Sequence, residues 1–341
     1  MLVKELDSKN AAAWNKFVFE HPEATFFHRA EWKEVIQRTY GHPMYFLYAE
    51  EQGEIKGVLP LGQVKSRVFG NALISLPFYV HGGILSSSTE AFDALTQKSI
   101  ALAKQLNVDY MEFRTIRQQH SDWAVKSDLY ARFRKEIDPD VETNMTNIPR
   151  KQRAVVRKGI SAGLNSEWDT DIDRFYESYA YSLHGLGTPA FPRKLFHILK
   201  EVFKDDCDVL SIFKDGQLVS SVMNFYFRGE VLPYYAGASD LARQYKAHDF
   251  MYWELMRRSC ERGLKWFDYG RSKVGTGPYS FKKNWGFEPE PLEYEYFLVN
   301  AAEVPNVSPT NPKYAVFINT WKKLPFWATK VIGPKINRYL G

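Results

Sequence analysis

Cysteine is nearly absent from this 341-residue chain: Cys207 and Cys260 are the two it has, far apart and without metal-ligand spacing. A disulfide framework and a cysteine-built zinc site are excluded, no metal is expected, and a reducing cytoplasm suits the composition. Long apolar runs are missing too. The longest uncharged stretch, Val68 to Thr89, holds Asn71, Pro77, His81, Gly82, Gly83 and the serines at 86–88, which reads as strands and loop rather than a membrane-spanning helix. The opening residues MLVKELDSKNAAAWNKF carry charge throughout, with no apolar core of signal-peptide length. The expectation is a cytoplasmic protein, soluble or peripheral at the inner membrane face. A strong charge imbalance is also lacking: 45 Lys and Arg against 40 Asp and Glu leave a formal net charge of +5. With no recognised nucleic-acid-binding motif beside it, that balance argues against nucleic-acid binding as the main role.

What the chain has in quantity is aromatic residues, 16% of the total, with 24 Phe, 20 Tyr and 9 Trp. Packed cores take most of such a content, and a groove that stacks on flat or sugar-like ligands takes the rest. With 45% hydrophobic residues, a chain of this length suits two domains. An internal repeat agrees. Residues 45–61, YFLYAEEQGEIKGVLPL, read as strand, Gly turn, strand, and residues 209–225, VLSIFKDGQLVSSVMNF, repeat the pattern with Gly216 placed like Gly53. Each hairpin is followed by a further strand, a helix and a closing strand. The helices are expected at 91–106 and 246–262, stopping at Asn107 and Gly263, residue types that enter the left-handed conformation easily. The closing strands are VDYMEF at 108–113 and LKWFDY at 264–269. A helix-flanked hairpin repeated at domain-sized spacing predicts two similar α/β domains with a cleft between them.

Charge is unevenly spread. In PRKQRAVVRKGI, residues 149–160, Pro149 suits a first helical turn, and Arg150, Lys151, Arg153, Arg157 and Lys158 follow. Three- and four-residue steps put Arg150, Arg153 and Arg157 on one helical face, with Ala154 and Val155 pointing elsewhere. The run is either a phosphate-binding face, for a nucleotide-linked head group, a transfer RNA or an anionic glycan, or a solvated helix linking the domains. The second basic stretch is the tail from Lys313 to Gly341, with Lys322, Lys323, Lys330, Lys335 and Arg338 and no acidic residue after Glu303. Trp321, Leu324, Phe326, Trp327, Val331, Ile332 and Ile336 give it an apolar side, broken by Pro325 and Gly333-Pro334. It reads either as a helix lying on an anionic membrane surface or as a C-terminal helix docked on the second domain.

The most specific run follows the second closing strand. Asp268 and Arg271 sit at the carboxyl end of a strand, where sheet proteins place ligand-binding groups. The glycine- and proline-punctuated SKVGTGPYS, residues 272–280, then delivers Tyr279, Phe281, Lys282 and Lys283 beside Trp285, Gly286 and Phe287. The order helix, strand, hairpin, strand, helix, strand resembles the Gcn5-related N-acyltransferase (GNAT) fold, and two such domains in tandem resemble the FemAB family of aminoacyltransferases. The runs that carry the resemblance are TFFHRAEWKEV at 25–35, PRKQRAVVRK at 149–158 and YSFKKNWGFE at 279–288, and it covers roughly residues 5–299. The PRKQRAVVRKGI run, the helix DFMYWELM at 249–256 and the basic, proline-containing tail look closest to the FemAB-related subgroup of exosortase and PEP-CTERM exopolysaccharide systems.

The resemblance implies an α/β (α+β) fold of two tandem GNAT-like domains, each a mixed twisted sheet flanked by helices. Residues 1–147 would form the acceptor side, 148–300 would carry the transfer chemistry, and 301–341 would be a basic aromatic tail. It implies an acyltransferase that moves an aminoacyl or acyl group to an amino group of a cell-envelope precursor, in peptidoglycan or exopolysaccharide assembly, with no permanently bound cofactor. The donor would be an aminoacyl-tRNA or another activated acyl group, and the partner a nucleotide- or lipid-linked precursor. Attack of an amine on an ester or thioester passes through a tetrahedral oxyanion, which needs positive donors, and the amine proton needs a route away. The family's Phe-Lys pair carries over onto Phe281 and Lys282: Lys282 would steady the oxyanion or the donor's terminal phosphate, and Phe281 would fix its position. Lys283 competes for that role. Asp268, Arg271, Tyr279, Tyr245, Arg150 and Arg153 are expected to bind substrate around them.

The sequence departs from the fold's acetyl-CoA pattern. Between the fourth strand and the next helix, those enzymes carry Gln/Arg-x-x-Gly-x-Gly/Ala, whose backbone amides cradle pyrophosphate. Here Arg243-Gln244-Tyr245-Lys246-Ala247-His248-Asp249 has no glycine, so coenzyme A in its usual seat is not expected. On the first domain the acceptor candidates are Arg29 and Lys33, beside Phe27 and Trp32, and Tyr79 and His81, beside Gly82 and Gly83. Those glycines either let a phosphate or sugar approach the backbone or serve as plain turn residues. His184, in YSLHGLGTPAFP at 181–192, is placed in a loop that Gly185 and Gly187 free to cover the cleft, though a lone histidine is more often structural. A non-catalytic protein binding an envelope glycan or a lipid head group is the alternative, since duplicated folds lose chemistry.

Overall fold

The structure is a computed structural model that describes residues 1–66, 70–304 and 312–339. Residues 67–69, within which the long uncharged stretch begins, and 305–311, ahead of the basic tail, lie outside the described residues. In chain order the strands are β1 (Leu2–Glu5), β2 (Met44–Glu51), β3 (Glu54–Ser66), β4 (Gly70–Ser75), β5 (Leu85–Ser86), β6 (Tyr110–Arg114), β7 (Ala124–Lys126), β8 (Tyr130–Glu136), β9 (Asn165–Trp168), β10 (Cys207–Lys214), β11 (Gln217–Phe227), β12 (Glu230–Ala238), β13 (Trp266–Lys273), β14 (Glu290–Pro291) and β15 (Tyr294–Leu298). The helices are α1 (Ala11–Glu20), α2 (Glu31–Tyr40), α3 (Thr89–Gln105), α4 (Val141–Asn147), α5 (Arg150–Ser161), α6 (Ile172–Leu186), α7 (Arg193–Phe203), α8 (Leu241–Tyr245), α9 (Ala247–Glu261), α10 (Gly277–Asn284), α11 (Pro312–Lys323) and α12 (Phe326–Asn337).

The repeat read from the sequence is there. Its hairpins are β2–β3 and β10–β11, turned by Gln52-Gly53 and Asp215-Gly216, all four residues at positive φ. A turn with two left-handed residues matches the right-handed twist of the strands it joins. A third antiparallel strand follows in each copy, β4 or β12, then a helix, α3 or α9, then a strand parallel to the third, β6 or β13. Asn107 at φ 49 and Gly263 at φ 74 stand just past the ends of α3 and α9, as expected.

Each sheet is completed by a strand from outside the repeat. The first runs β1-β2-β3-β4-β6-β15-β7, and the second runs β9-β10-β11-β12-β13-β8 before its outermost strand. The chain accordingly divides into two compact units, Met1–Asp128 with Pro291–Ser308 and Ile336–Gly341, and Leu129–Glu290 with Pro309–Lys335. The division falls at 128/129, ahead of the boundary expected at 147/148, because β8 pairs antiparallel with β13. Residues after 290 return to the first unit because β15 pairs with β6 and β7, so the tail is not a separate body.

Both sheets are buried on two faces, which explains the aromatic content. On β2, Leu47 and Ala49 meet Ala91 and Leu95 of α3 in one core, while Phe46, on the other face, stacks on Trp14 of α1 at 5.4 Å. In the second unit, Leu210, Ile212 and Val222 share a core with Met251 and Leu255 of α9. Tyr179 of α6 and Phe196 of α7 pack edge-on against Tyr235 from β12 on the opposite side. Residues 181–186, expected as loop, are the last turns of α6: its apolar stripe of Phe175, Tyr176, Tyr179 and Ala180 carries the helix on, and Gly187 at φ 80 ends it.

Candidate active site

β12 and β13 pair at two rungs only, Glu230 with Trp266 and Val231 with Phe267, and then diverge. Local sequence explains this. Pro233 has no N–H to give to a ladder, and the register of β11 against β12 slips beside it, between Met223 and Asn224. On β13 the register against β8 slips between Asp268 and Arg271, where Gly270 takes φ 67. Side chains occupy the backbone edges released by the divergence. Ser239 gives its N–H to Val219 of β11, so Ala238 points the other way, and there the Ser182 hydroxyl accepts from its N–H at 2.6 Å and donates to its carbonyl at 3.0 Å. α6 comes this close because residue 237 is glycine: a Cβ there would fall on the backbone of Ser178 and Tyr179.

Across the gap, Lys282 of α10 occupies the β13 edge. Its Nζ donates to the carbonyls of Tyr269 at 2.6 Å and of Gly270 and Arg271 at 3.2 Å. The side chain is 9% exposed, and burial pushes its pKa down from 10.5 to about 7, with Asp268 opposing the shift and Arg271 adding to it. This corrects the role expected of Lys282. An ammonium whose three protons are held by three carbonyls has none left for an oxyanion or a donor phosphate; it clamps the bulge of β13 to α10. Phe281 is half-buried against Tyr252, Trp285 and Tyr269 at 5.6–6.4 Å between ring centres, which seats α10 rather than presenting a face to a ligand. Tyr279 stands edge-on to Phe133 at 5.2 Å, Arg271 lies over the Tyr130 ring at 4.1 Å, and Lys283 is exposed.

Beside the last paired rung lies a buried charge cluster that the sequence reading missed apart from Asp268. Arg132 of β8 grips Asp268 Oδ2 through Nε at 2.7 Å and a terminal nitrogen at 2.6 Å, and Gly270 N–H donates to Oδ1 at 2.7 Å. Glu230 bonds Arg134 and lies 3.7 Å from Arg132. Burial and the charge of Asp268 raise the Glu230 pKa against the pull of both arginines. For Arg132, burial alone would lower the pKa, but Asp268 and Glu230 outweigh it and raise it. The signal was present in β8: Ala131 and Phe133 enter the core while Arg132 and Arg134 alternate with them, so the arginines share the sheet's other face.

The two runs singled out from the sequence meet in the second unit. Gly286, past the end of α10, lies against Pro149 at the start of α5; a Cβ on it would stand 3.0 Å from the proline ring. Asp249 of α9 accepts from Gln152 of α5 and, at 3.4 Å, from Trp285 Nε1. Val156 and Gly159 are the buried side of α5. Its other side, Arg150, Arg153, Arg157, Lys158 and Ser161, lines a depression of about 640 Å³. Ala154 lines it too, a correction to its expected placement, since a four-residue step from Arg150 keeps it on that face.

At the N-terminus of α9, Lys246 holds φ 56, the left-handed position that a glycine would fill without a side chain. Ala247 is fully buried, and Tyr245 packs at the core's edge with Lys214 Nζ 5.8 Å from its ring. A side chain thus stands at the left-handed position of this turn, where a glycine would leave the backbone bare.

Residues 144–283 match the family described as "Acetyltransferase (GNAT) domain". No curated protein matches the chain in sequence. Among solved structures, FemX is 14% identical with a TM-score of 0.69, the match covering 88% of this chain and 98% of FemX. A C-terminal domain assigned to a lysylphosphatidylglycerol synthetase of Agrobacterium fabrum is 12% identical, TM-score 0.54, covering 85% of this chain and 91% of that one. A tandem GNAT protein from the clavulanic acid biosynthesis pathway is 13% identical, TM-score 0.52, covering 89% and 99%. The fold is a tandem GNAT-like fold.

In the first GNAT-like unit three of the four expected acceptor residues, Arg29, Tyr79 and His81, lie inside, and Lys33 is half-buried. Tyr79 is fully buried, and Arg29 and His81 are under a tenth exposed. Tyr79 packs 4.0 Å from the Trp32 ring and 5.8 Å from Phe27, Arg29 is paired with Glu31 at 2.6 Å, and Lys33 donates to the Leu6 carbonyl at 2.6 Å. This corrects their reading as a surface that meets an acceptor: the aromatic turn was packing, which its run of rings already favoured. His184 is part of α6, with Nε2 3.0 Å from the Leu324 carbonyl.

Proposed function

We propose that the chain is an N-acyltransferase whose second unit takes an acyl group from a phosphate-bearing activated donor and passes it to an amine. The observation that carries this reading is the divergence of β12 and β13 inside the segment that matches the acetyltransferase family. Two parallel strands that separate leave backbone groups on facing edges without a ladder between them, and beyond the groups that Ser182 and Lys282 occupy an extended acyl carrier with amide groups can pair with them. Ser182 and Lys282 hold the two edges apart. The basic face of α5 supplies the charge that a phosphate-bearing donor needs. Glu230, a buried carboxyl whose pKa burial and Asp268 raise, suits a proton acceptor, and Arg134, which donates to it, positions it.

The acyl group is aminoacyl or a simpler acyl, and the acceptor an amino group of a cell-envelope precursor, nucleotide- or lipid-linked, of peptidoglycan or of a PEP-CTERM-type exopolysaccharide system. The FemAB resemblance of the runs at 25–35, 149–158 and 279–288 supports this narrower reading. One observation favours the alternative, a non-catalytic binder of envelope glycan or lipid head group: Lys282 offers no free ammonium.

The test presents the chain with acetyl-CoA or charged transfer RNA as donor and with amino-sugar nucleotides or lipid-linked peptides as acceptor, and follows acceptor mass. An acyl increment that Glu230→Gln abolishes is expected, with circular dichroism at the assay temperature showing that the variant is still folded. Binding of acceptor with no increment from either donor overturns the enzyme reading in favour of the binder.

A further inference from the structure

α12 turns an apolar face outward. Its inward side is closed: Ala328 and Thr329 are buried, Trp321 of α11 is 2% exposed, and a Cβ on Gly333 would meet the backbone of Ala190 at 3.2 Å. Lys330 pairs with Glu177 at 2.8 Å, and the Leu324 carbonyl ahead of the helix meets His184. The docked-helix reading of the tail thus describes one side of it. On the other side, Trp327 is 69% exposed, Val331 57% and Ile332 40%, positions where a merely docked helix carries polar residues. The exposed lysines 322, 323 and 335 border them, and no Asp or Glu follows Glu303.

We propose that the outward face of α12, with the end of α11, docks on the anionic surface of a phospholipid bilayer. Charge decides the occupant. A second copy seated by a two-fold axis would bring the same lysines against one another, whereas anionic head groups neutralise them while Trp327, Val331 and Ile332 enter the acyl boundary. Among the described residues no helix is long and apolar enough to cross a membrane, and the twelve residues of α12 include Pro334, so the helix lies along the surface. The proposal goes beyond acyl transfer and does not depend on it.

The test is sedimentation of the full chain with vesicles of phosphatidylcholine alone and of phosphatidylcholine with phosphatidylglycerol, at low and high salt. Binding is expected to the anionic vesicles only, weakened by salt, with a blue shift of tryptophan emission. Each lysine near such a surface adds about fivefold to partitioning, so converting Lys322, Lys323 and Lys335 to Gln lowers it about a hundredfold at low salt. Trp327→Glu with Val331→Glu abolishes binding while the melting temperature, read as the control for folding, holds. Equal binding to both vesicles, no binding, wild-type binding by the Glu variant, or a concentration-dependent dimer that the Glu variant dissolves would each overturn the proposal, the last assigning the face to a second copy.

Discussion

Replacing Lys282 by methionine isolates the cost of burying an ammonium at the diverging strands. The folded chain releases the Lys282 proton near pH 7, whereas the ordinary value is 10.5. Between those values unfolding takes up a proton, so stability rises with pH, is complete above 10.5, and falls away as pH drops to about 7. Each pKa unit is worth about 1.4 kcal/mol, making the whole span roughly 5 kcal/mol and the part between pH 7 and 9 about 2 kcal/mol. Methionine keeps the stem but leaves the carbonyls of Tyr269, Gly270 and Arg271 without their donor, a loss of about 1–3 kcal/mol that does not vary with pH. Urea unfolding followed by circular dichroism from pH 6 to 9 measures both. The gap between wild type and Lys282→Met should widen in favour of wild type by about 2 kcal/mol from pH 7 to 9 and level off below. A gap constant across that range would show that the three carbonyls keep the ammonium charged, and the reasoning from burial would fail.

Other perturbations probe the same region. Gly237→Ala puts a methyl on the backbone of α6 and should lower stability by more than about 3 kcal/mol, seen as a fall in melting temperature; a shift of a degree or two would mean that α6 yields freely. Asp268→Asn leaves Arg132 half-paired in a buried site and should cost about 3 kcal/mol, measured by urea unfolding. Converting Arg150, Arg153 and Arg157 to Gln should raise the donor KM and flatten its dependence on salt while leaving kcat unchanged, in a steady-state assay across ionic strength; an unchanged KM would remove α5 from the donor site.

The repeat was legible because its signals are local: two glycine turns, period-two alternation, and helices ended by Asn107 and Gly263. Strand partners from distant sequence left no such mark. β8 carries no label saying that it joins β13, nor β15 that it joins β6, so the boundary expected at 147 lies 19 residues past Asp128, where the chain divides. The site was legible as a neighbourhood: the runs at 149–158 and 279–288 do meet through Pro149, Gln152, Asp249, Trp285 and Gly286. The fate of individual groups was not. Whether Lys282 faces solvent or three carbonyls depends on a bulge formed by β13 against β8, and whether Tyr79 meets a ligand or Trp32 depends on the packing of α2.

The return of β15 to the first sheet sets an order on synthesis. When a ribosome has delivered residues 1–128, β7 has no neighbour, since β15 is what joins it to β6. The Val80 carbonyl still lacks the Tyr294 hydroxyl, and the N–H groups of Gln119 and His120 still lack the Glu295 carboxylate. The nascent chain therefore carries an open strand edge on β6 while the whole second unit is being made, and such edges recruit other chains. A protein cut at residue 147 should precipitate rather than yield a usable half, and the unit made first is the one that closes last.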